Sequence, residues 1–304
     1  AIFANSTIVE LKGARFMVIK KNEFPLCGDA KLGIQQLDMK LSDWKASQEW
    51  KDLANKESSK WNNYYDEITS IKSTSKTMDS LPTDAQVLGE LKRNGKATDV
   101  VVCAAGSLPG ELHKLWRTEQ TGGYHAEYGF SCMGYEIAGG LGVKMAEPER
   151  EVIVLVGDGS YLMLNSELAT SVMLGQKIIV VVLDNRGFSC INRLQNATGN
   201  RSFNNLLKDC ESIDDGHPNV NFALHAQSLG ANSEHIENIN ELASALERAR
   251  LSSKSYLISL VTDSHKISPE GGCWWEVAVP EVSSNKNGDE VYNSYKKGKK
   301  QQPY

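Results

Sequence analysis

Asp158 and Asn185 offer a carboxylate and an amide oxygen, two hard donors, each placed just past an apolar run of the chain. The segment that carries them, EVIVLVGDGSYLMLNSELATSVMLGQKIIVVVLDN, occupies residues 151–185. Its β-branched runs at 152–156 and 177–183 flank a helical stretch at about 165–174, the pattern of a βαβ unit. Such units are almost always right-handed, so both strands end on one edge of the sheet, where open α/β folds bind ligands. The two side chains can therefore converge on one divalent cation. Mg²⁺ takes about six oxygens at ~2.0–2.1 Å, commonly one or two from protein and the rest from phosphate and water. Gly159 and Ser160 follow with small side chains and backbone N–H groups at the start of a helix, a setting suited to a diphosphate. Taken alone, Gly157-Asp158-Gly159 is equally a turn whose Asp caps the next helix.

Two further stretches could complete such a site. Ala104-Ala105-Gly106-Ser107-Leu108-Pro109-Gly110 follows an apolar run at 99–103 and leads into a helix, which makes it either a ligand-facing turn or an ordinary tight βα connection. Neither Gly-rich turn is a P-loop, because no Gly-Lys-Ser/Thr follows. Gly129-Phe130-Ser131-Cys132-Met133-Gly134-Tyr135 opens an apolar helix, where a Met is usually core filler.

The elements that must position these residues read as strands at 99–104, 152–156, 177–183 and 255–261. They alternate with helices at about 84–94, 112–119, 134–144, 165–174, 222–229 and 239–251. Thr83 is placed to cap the first of these helices. The alternation predicts an α/β fold: a doubly wound, mostly parallel sheet with helices on both faces, over residues 81–280. Residues 1–45, with a strand at 14–20 and a helix at about 32–41, read as the end of a second α/β domain. Residues 46–80 read as a helical connector, and the aromatics spaced along 42–80, Trp44, Trp50, Trp61 and Tyr64, are expected to pack against a neighbour. Residues 281–304 read as a solvated tail with a Lys cluster. The polar stretch 200–220 lacks periodicity and reads as a functional loop.

Composition excludes several classes. With 33 basic and 38 acidic residues the formal charge is −5, which gives no attraction for nucleic acid. No apolar run approaches the ~18 residues of a membrane span, and the start lacks the form of a signal peptide. The six cysteines are scattered without CxxC pairs, as expected of buried thiols in a cytoplasmic protein. The chain opens without Met and in what reads as mid-strand, the expectation for a fragment.

The joint pattern of Gly-Asp-Gly, 25 further residues and Asn185 resembles the cofactor motif of the thiamine diphosphate-dependent enzymes. That resemblance implies a thiamine diphosphate-binding fold with Mg²⁺ held by Asp158, Asn185 and the Gly187 carbonyl. It also implies cofactor contacts from Gly106, Ser107, Leu108, Ser131, Met133, Gly157, Asp158, Gly159, Ser160 and Asn185. Met133 would be the wedge under the bent cofactor, and the Ser131 carbonyl would accept from its amino group. Asp184 departs from the family's first Asn at a position that is not a ligand. The phrases YHAEYG, GHPNV and GGCWWEV resemble the branch that hydrolyses trihydroxycyclohexanediones in myo-inositol catabolism. The implied reaction is hydrolysis of the ring C–C bond of a cyclic dione to open-chain 5-deoxyglucuronate, with no redox partner. His125 and Glu127 are its candidate catalytic residues, with Tyr128, His217, Trp274 and Trp275 as weaker contacts; each is equally well a structural residue. No Glu here matches the family's activating glutamate, which would come from an N-terminal pyrimidine-binding domain of a second subunit in a homo-oligomer. Two alternatives stay open: an acetolactate synthase-like decarboxylase/ligase, and a non-catalytic cofactor-binding subunit of a split enzyme.

Overall fold

The computed structural model describes residues 8–12, 23–71, 81–127, 129–209, 219–269, 279–282 and 287–301. The expected strand at 14–20 lies outside the described residues. The chain divides into two units, residues 1–62 and 63–304. In the first, β1 (Ile8–Lys12) pairs in parallel with β2 (Glu23–Cys27), and α1 (Ala30–Lys40) follows, its N-terminus capped by Asp29, which accepts the Leu32 N–H. A long helix, α2 (Gln48–Thr69), leads into the second unit. Trp50 and Trp61 on α2, and Trp44 ahead of it, are exposed within this chain.

The second unit runs α3 (Asp84–Arg93), β3 (Val100–Cys103), α4 (Leu108–Leu115), β4 (Tyr124–Ala126), α5 (Tyr135–Ala146), β5 (Val152–Gly157), α6 (Asp158–Met163) and α7 (Ser166–Met173). It continues through β6 (Ile179–Asp184), α8 (Ser189–Ala197), α9 (Phe222–Ser228), β7 (Asn232–His235), α10 (Leu242–Leu251), β8 (Tyr256–Val261) and α11 (Gly288–Gln301). Six strands form one sheet in the order β4-β3-β5-β6-β8-β7, with every pairing parallel.

The apolar runs VVVC, VIVLVG, IVVVLD and YLISLV bury both faces of this sheet, so they show no polar alternation. Val101, Ile153, Val181 and Ile258 point to one face and pack with Leu88 of α3, Leu112 of α4 and Leu246 of α10. Val102, Val154, Val180 and Leu257 point to the other and pack with Ile137 of α5, Leu168 of α7 and Phe222 of α9. Thr83 starts α3 with a reciprocal cap: its Oγ1 accepts the Gln86 N–H at 3.3 Å and its own N–H donates to Gln86 Oε1 at 3.0 Å.

Several elements depart from expectation. α4 begins four residues early, at Leu108, because Pro109 suits a first helical turn. The stretch read as tail contains α11, on which Lys296 Nζ lies 4.0 Å from the Tyr292 ring centroid. α6 is a separate short helix ahead of α7. Among the described residues no helix is long and apolar enough to cross a membrane.

Candidate functional site

Chain direction in the sheet reverses between β3 and β5: the chain leaves β3 toward β4 on one side, and leaves β5 toward β6 on the other. At such a switch point the loops at the carboxyl ends of the two strands part and leave a crevice. A cavity of about 350 Å³ lies there. The turn after β3 contributes Gly106, Ser107 and Leu108, and the segment before α5 contributes Ser131 and Met133. From the β5 turn come Gly157, Asp158, Gly159 and Ser160, and from the β6 turn Asn185 and Gly187. Every residue expected from the sequence to touch cofactor or metal thus faces one cavity. The apolar wall of Phe188, Ile191 and Leu194 on and beside α8, and Asp84 at the start of α3, are lining residues that motif reading did not find.

Asp158 is 6% exposed and stands beside Asp184. Burial first, and the Asp184 charge second, push its carboxyl up to about 7. Its Oδ2 accepts the Gly187 N–H at 2.7 Å, which ties the β5 turn to the β6 turn. Its Oδ1 is buried without a hydrogen-bond partner, and so is Asn185 Oδ1. Buried oxygens without donors are costly, and a divalent cation is the partner that a carboxylate and an amide oxygen share. The donor set therefore fits Mg²⁺. Among the described residues no group of three His, Cys, Asp or Glu side chains forms a metal site. A cation here would rest on one carboxylate, one amide and backbone oxygen, a set that leaves positions for ligand phosphate.

The β6 turn takes its shape from the loop at 200–209. Arg186 (φ 62°) and Gly187 (φ 133°) both have positive φ. Phe188 N–H donates to the Asn205 carbonyl at 2.7 Å, and Leu207 N–H donates to the Arg186 carbonyl at 3.0 Å. A Cβ on Gly187 would lie 2.5 Å from that Asn205 carbonyl oxygen, so only glycine fits. Asp184 supports the same turn: its Oδ1 accepts the Arg186 N–H at 3.0 Å and its Oδ2 lies 3.4 Å from Arg186 Nε. On the other side, a Cβ on Gly159 would meet the Phe188 ring at 2.5 Å. Asp84 is buried, and burial raises its carboxyl to about 6 against a lowering by the Ser107 hydroxyl, which donates to Oδ2 at 3.1 Å.

His125 and Glu127 have other partners and do not line the cavity. His125 Nε2 pairs with the Tyr135 hydroxyl at 2.7 Å, and the two rings stack 5.9 Å apart. Glu127 accepts the Cys132 N–H at 2.6 Å and the Phe130 N–H at 2.9 Å, contacts that hold its carboxyl below the usual range. It shapes the segment that presents Ser131 and Met133. Tyr128, His217, Trp274 and Trp275 lie outside the described residues.

Comparison with known proteins agrees with this geometry. The family profile described as thiamine pyrophosphate enzyme, C-terminal TPP binding domain, matches residues 104–260, more than half of the chain. A 3D-(3,5/4)-trihydroxycyclohexane-1,2-dione hydrolase of Bacillus licheniformis is 36% identical over 97% of this chain and 49% of its own length. One of Clostridium tetani is 34% identical over 92% of this chain and 47% of its own. The chain spans about half the length of these curated relatives. A solved structure, the thiamine diphosphate-dependent 4-hydroxybenzoylformate decarboxylase of Rhodococcus jostii RHA1, superposes with a TM-score of 0.52 over 64% of this chain and 35% of its own. At 16% identity that likeness speaks for the fold alone.

Proposed function

The chain belongs to the thiamine pyrophosphate enzymes through the C-terminal binding domain they share, and from that premise we propose that it carries the cofactor-binding part of a trihydroxycyclohexanedione hydrolase. The observation that carries the substrate assignment is similarity over nearly the whole chain to relatives of that name, at 34–36% identity. The cofactor's thiazolium supplies an electron sink for the charge released when a bond between adjacent carbonyls is broken. In the proposed reaction one water is consumed. Its oxygen ends on one carbonyl carbon, which becomes the carboxylate, and the other carbon gains a proton and becomes an aldehyde, so the ring opens to 5-deoxyglucuronate with no net oxidation.

The chain's own residues bind and orient. Asp158 Oδ1, Asn185 Oδ1 and the Gly187 carbonyl would hold Mg²⁺, and the buried, partnerless Oδ1 atoms of Asp158 and Asn185 support that role. Backbone N–H groups of the turns at 106–108 and 159–160 take the diphosphate, where glycines allow close approach. Met133 would pack against the cofactor, and the Ser131 carbonyl would accept from its amino group. Phe188, Ile191 and Leu194 give that end of the cavity an apolar wall. No glutamate lines the cavity among the described residues, so the activating carboxylate is assigned to a pyrimidine-binding domain from a second subunit of a cytoplasmic homo-oligomer.

The test is product analysis. The full-length enzyme, given the cyclic dione with Mg²⁺ and thiamine diphosphate, should yield 5-deoxyglucuronate and should leave pyruvate unchanged. Conversion of pyruvate to carbon dioxide and a ligated product, with the dione untouched, would replace this reading by the acetolactate synthase-like one.

A further inference from the structure

Glu136, the second residue of α5, is 1% exposed and joins three separate segments of the site. Its Oε2 accepts the Gly134 N–H at 2.9 Å. Its Oε1 accepts the Ser160 hydroxyl at 2.8 Å and the Ala105 N–H at 3.2 Å. Gly134 N–H also reaches Ser160 Oγ at 2.9 Å, which closes the network. Ala105 precedes the turn at 106–108, Gly134 follows Met133, and Ser160 ends the β5 turn, so one carboxylate ties together the three segments that face the cavity from β3, α5 and β5.

A local helix cap would explain only the bond to Gly134. The partners at Ala105 and Ser160 lie 31 and 24 residues away in sequence. Among the described residues no cation pairs with Glu136, and the groups acting on it are hydrogen-bond donors. Burying a carboxylate without a counter-ion is expensive, and Leu or Met would fill the space without that cost. What an apolar residue could not do is satisfy the Ala105 and Gly134 N–H groups together. The bond to Glu136 also uses the Ser160 hydroxyl proton, so a ligand meets this residue through its backbone N–H.

We propose that Glu136 is a positioning residue that locks the two diphosphate-facing turns and the Met133 segment into one cradle before any ligand arrives. Preorganisation of this kind raises affinity by removing the ordering cost at binding. The proposal rests on the cofactor reading above, and its test separates the two. Hydrogen exchange of the ligand-free chain is compared for the parent and for Glu136→Leu, whose side chain offers no oxygen to any of the three donors. Peptides covering 104–107, 132–135 and 158–161 should exchange faster together while those of β6 and β8 stay protected. Calorimetric affinity for Mg²⁺-thiamine diphosphate should fall about tenfold or more. Ser160→Ala provides a second route that spares the carboxylate: it should loosen 104–107, a turn it does not touch, and add little to the affinity loss of Glu136→Leu in the double variant. Faster exchange confined to 132–135 would reduce Glu136 to a helix cap, and faster exchange throughout would reduce it to general stability. Parent-like affinity in Glu136→Leu, or unchanged exchange at 104–107 in Ser160→Ala, would likewise overturn the proposal. Failure of the parent to bind Mg²⁺-thiamine diphosphate would overturn the cofactor reading alone, and the ligand-free exchange pattern would still decide whether the tie exists.

Discussion

Met133 and Asp84 face the same cavity and can be separated by what their replacement disturbs. Met133 is half-buried and its proposed work is steric, so Met133→Leu, which keeps the volume, should be nearly silent. Met133→Ala should lower turnover of the full-length enzyme more than it lowers diphosphate affinity, because it removes orientation and spares the metal; equal turnover would make Met133 plain core. Asp84 tests burial. Its folded-state value of about 6 lies above the 3.8 of the free group, raised chiefly by burial. The stabilising contribution of its proton is therefore fully present below pH 4 and is lost as pH rises through 6. Asp84→Asn should exceed the parent in stability at pH 8 by on the order of 3 kcal/mol and match it near pH 4. Denaturant unfolding at both pH values checks this, and a pH-independent difference would refute it. Asp158 and Asn185 were legible as candidates because their spacing after strands sets both on one sheet edge, whereas Gly187 came only with the family resemblance. Asp84 and Glu136 were not, because each looks like an ordinary first-turn acidic residue and acquires its partners only through contacts distant in sequence.

At the scale of elements, the β6 turn and its clamp at 205–207 control where the Gly187 carbonyl points. Gly187→Ala sets a Cβ against the Asn205 carbonyl at a backbone angle that favours glycine, so the turn must shift. The expected result is loss of Mg²⁺-dependent binding with the sheet intact by circular dichroism; unchanged binding would show that the turn's geometry does not matter. The stretch 200–220 was read as a functional loop without periodicity, and its described part does support the site, through hydrogen bonds no sequence pattern announces. The central strands were readable because both faces are buried and their apolar runs are continuous. β4 was missed because three residues cannot show a period, and β7 because Asn-Ser-Glu-His at the sheet edge has no apolar face. α8 was missed because its apolar residues, Ile191 and Leu194, serve the cavity wall, half exposed, and the core takes only Ser189 and Asn192.

At the scale of the molecule, parallel order and the switch point between β3 and β5 explain how residues as distant as Gly106 and Gly187 meet in one crevice. Convergence of the β5 and β6 turns was foreseeable from handedness, but the joining of the β3 turn was only what the resemblance implied, and the strand order β4-β3-β5-β6-β8-β7 was not foreseen, since it depends on which helices cover which face. The central claim is that the β5 and β6 turns hold a metal-bridged diphosphate, and calorimetric titration of thiamine diphosphate into the 304-residue chain, with Mg²⁺ or with EDTA, tests it most directly. The parent should bind only with Mg²⁺. Loss of outer-shell groups commonly costs 10–100-fold in metal affinity, so removal of a ligand oxygen in Asp158→Ala should cost about 100-fold or more with the fold retained, and Asn185→Ala should weaken binding in the same sense. Parent-like, Mg²⁺-dependent binding by Asp158→Ala would contradict the account.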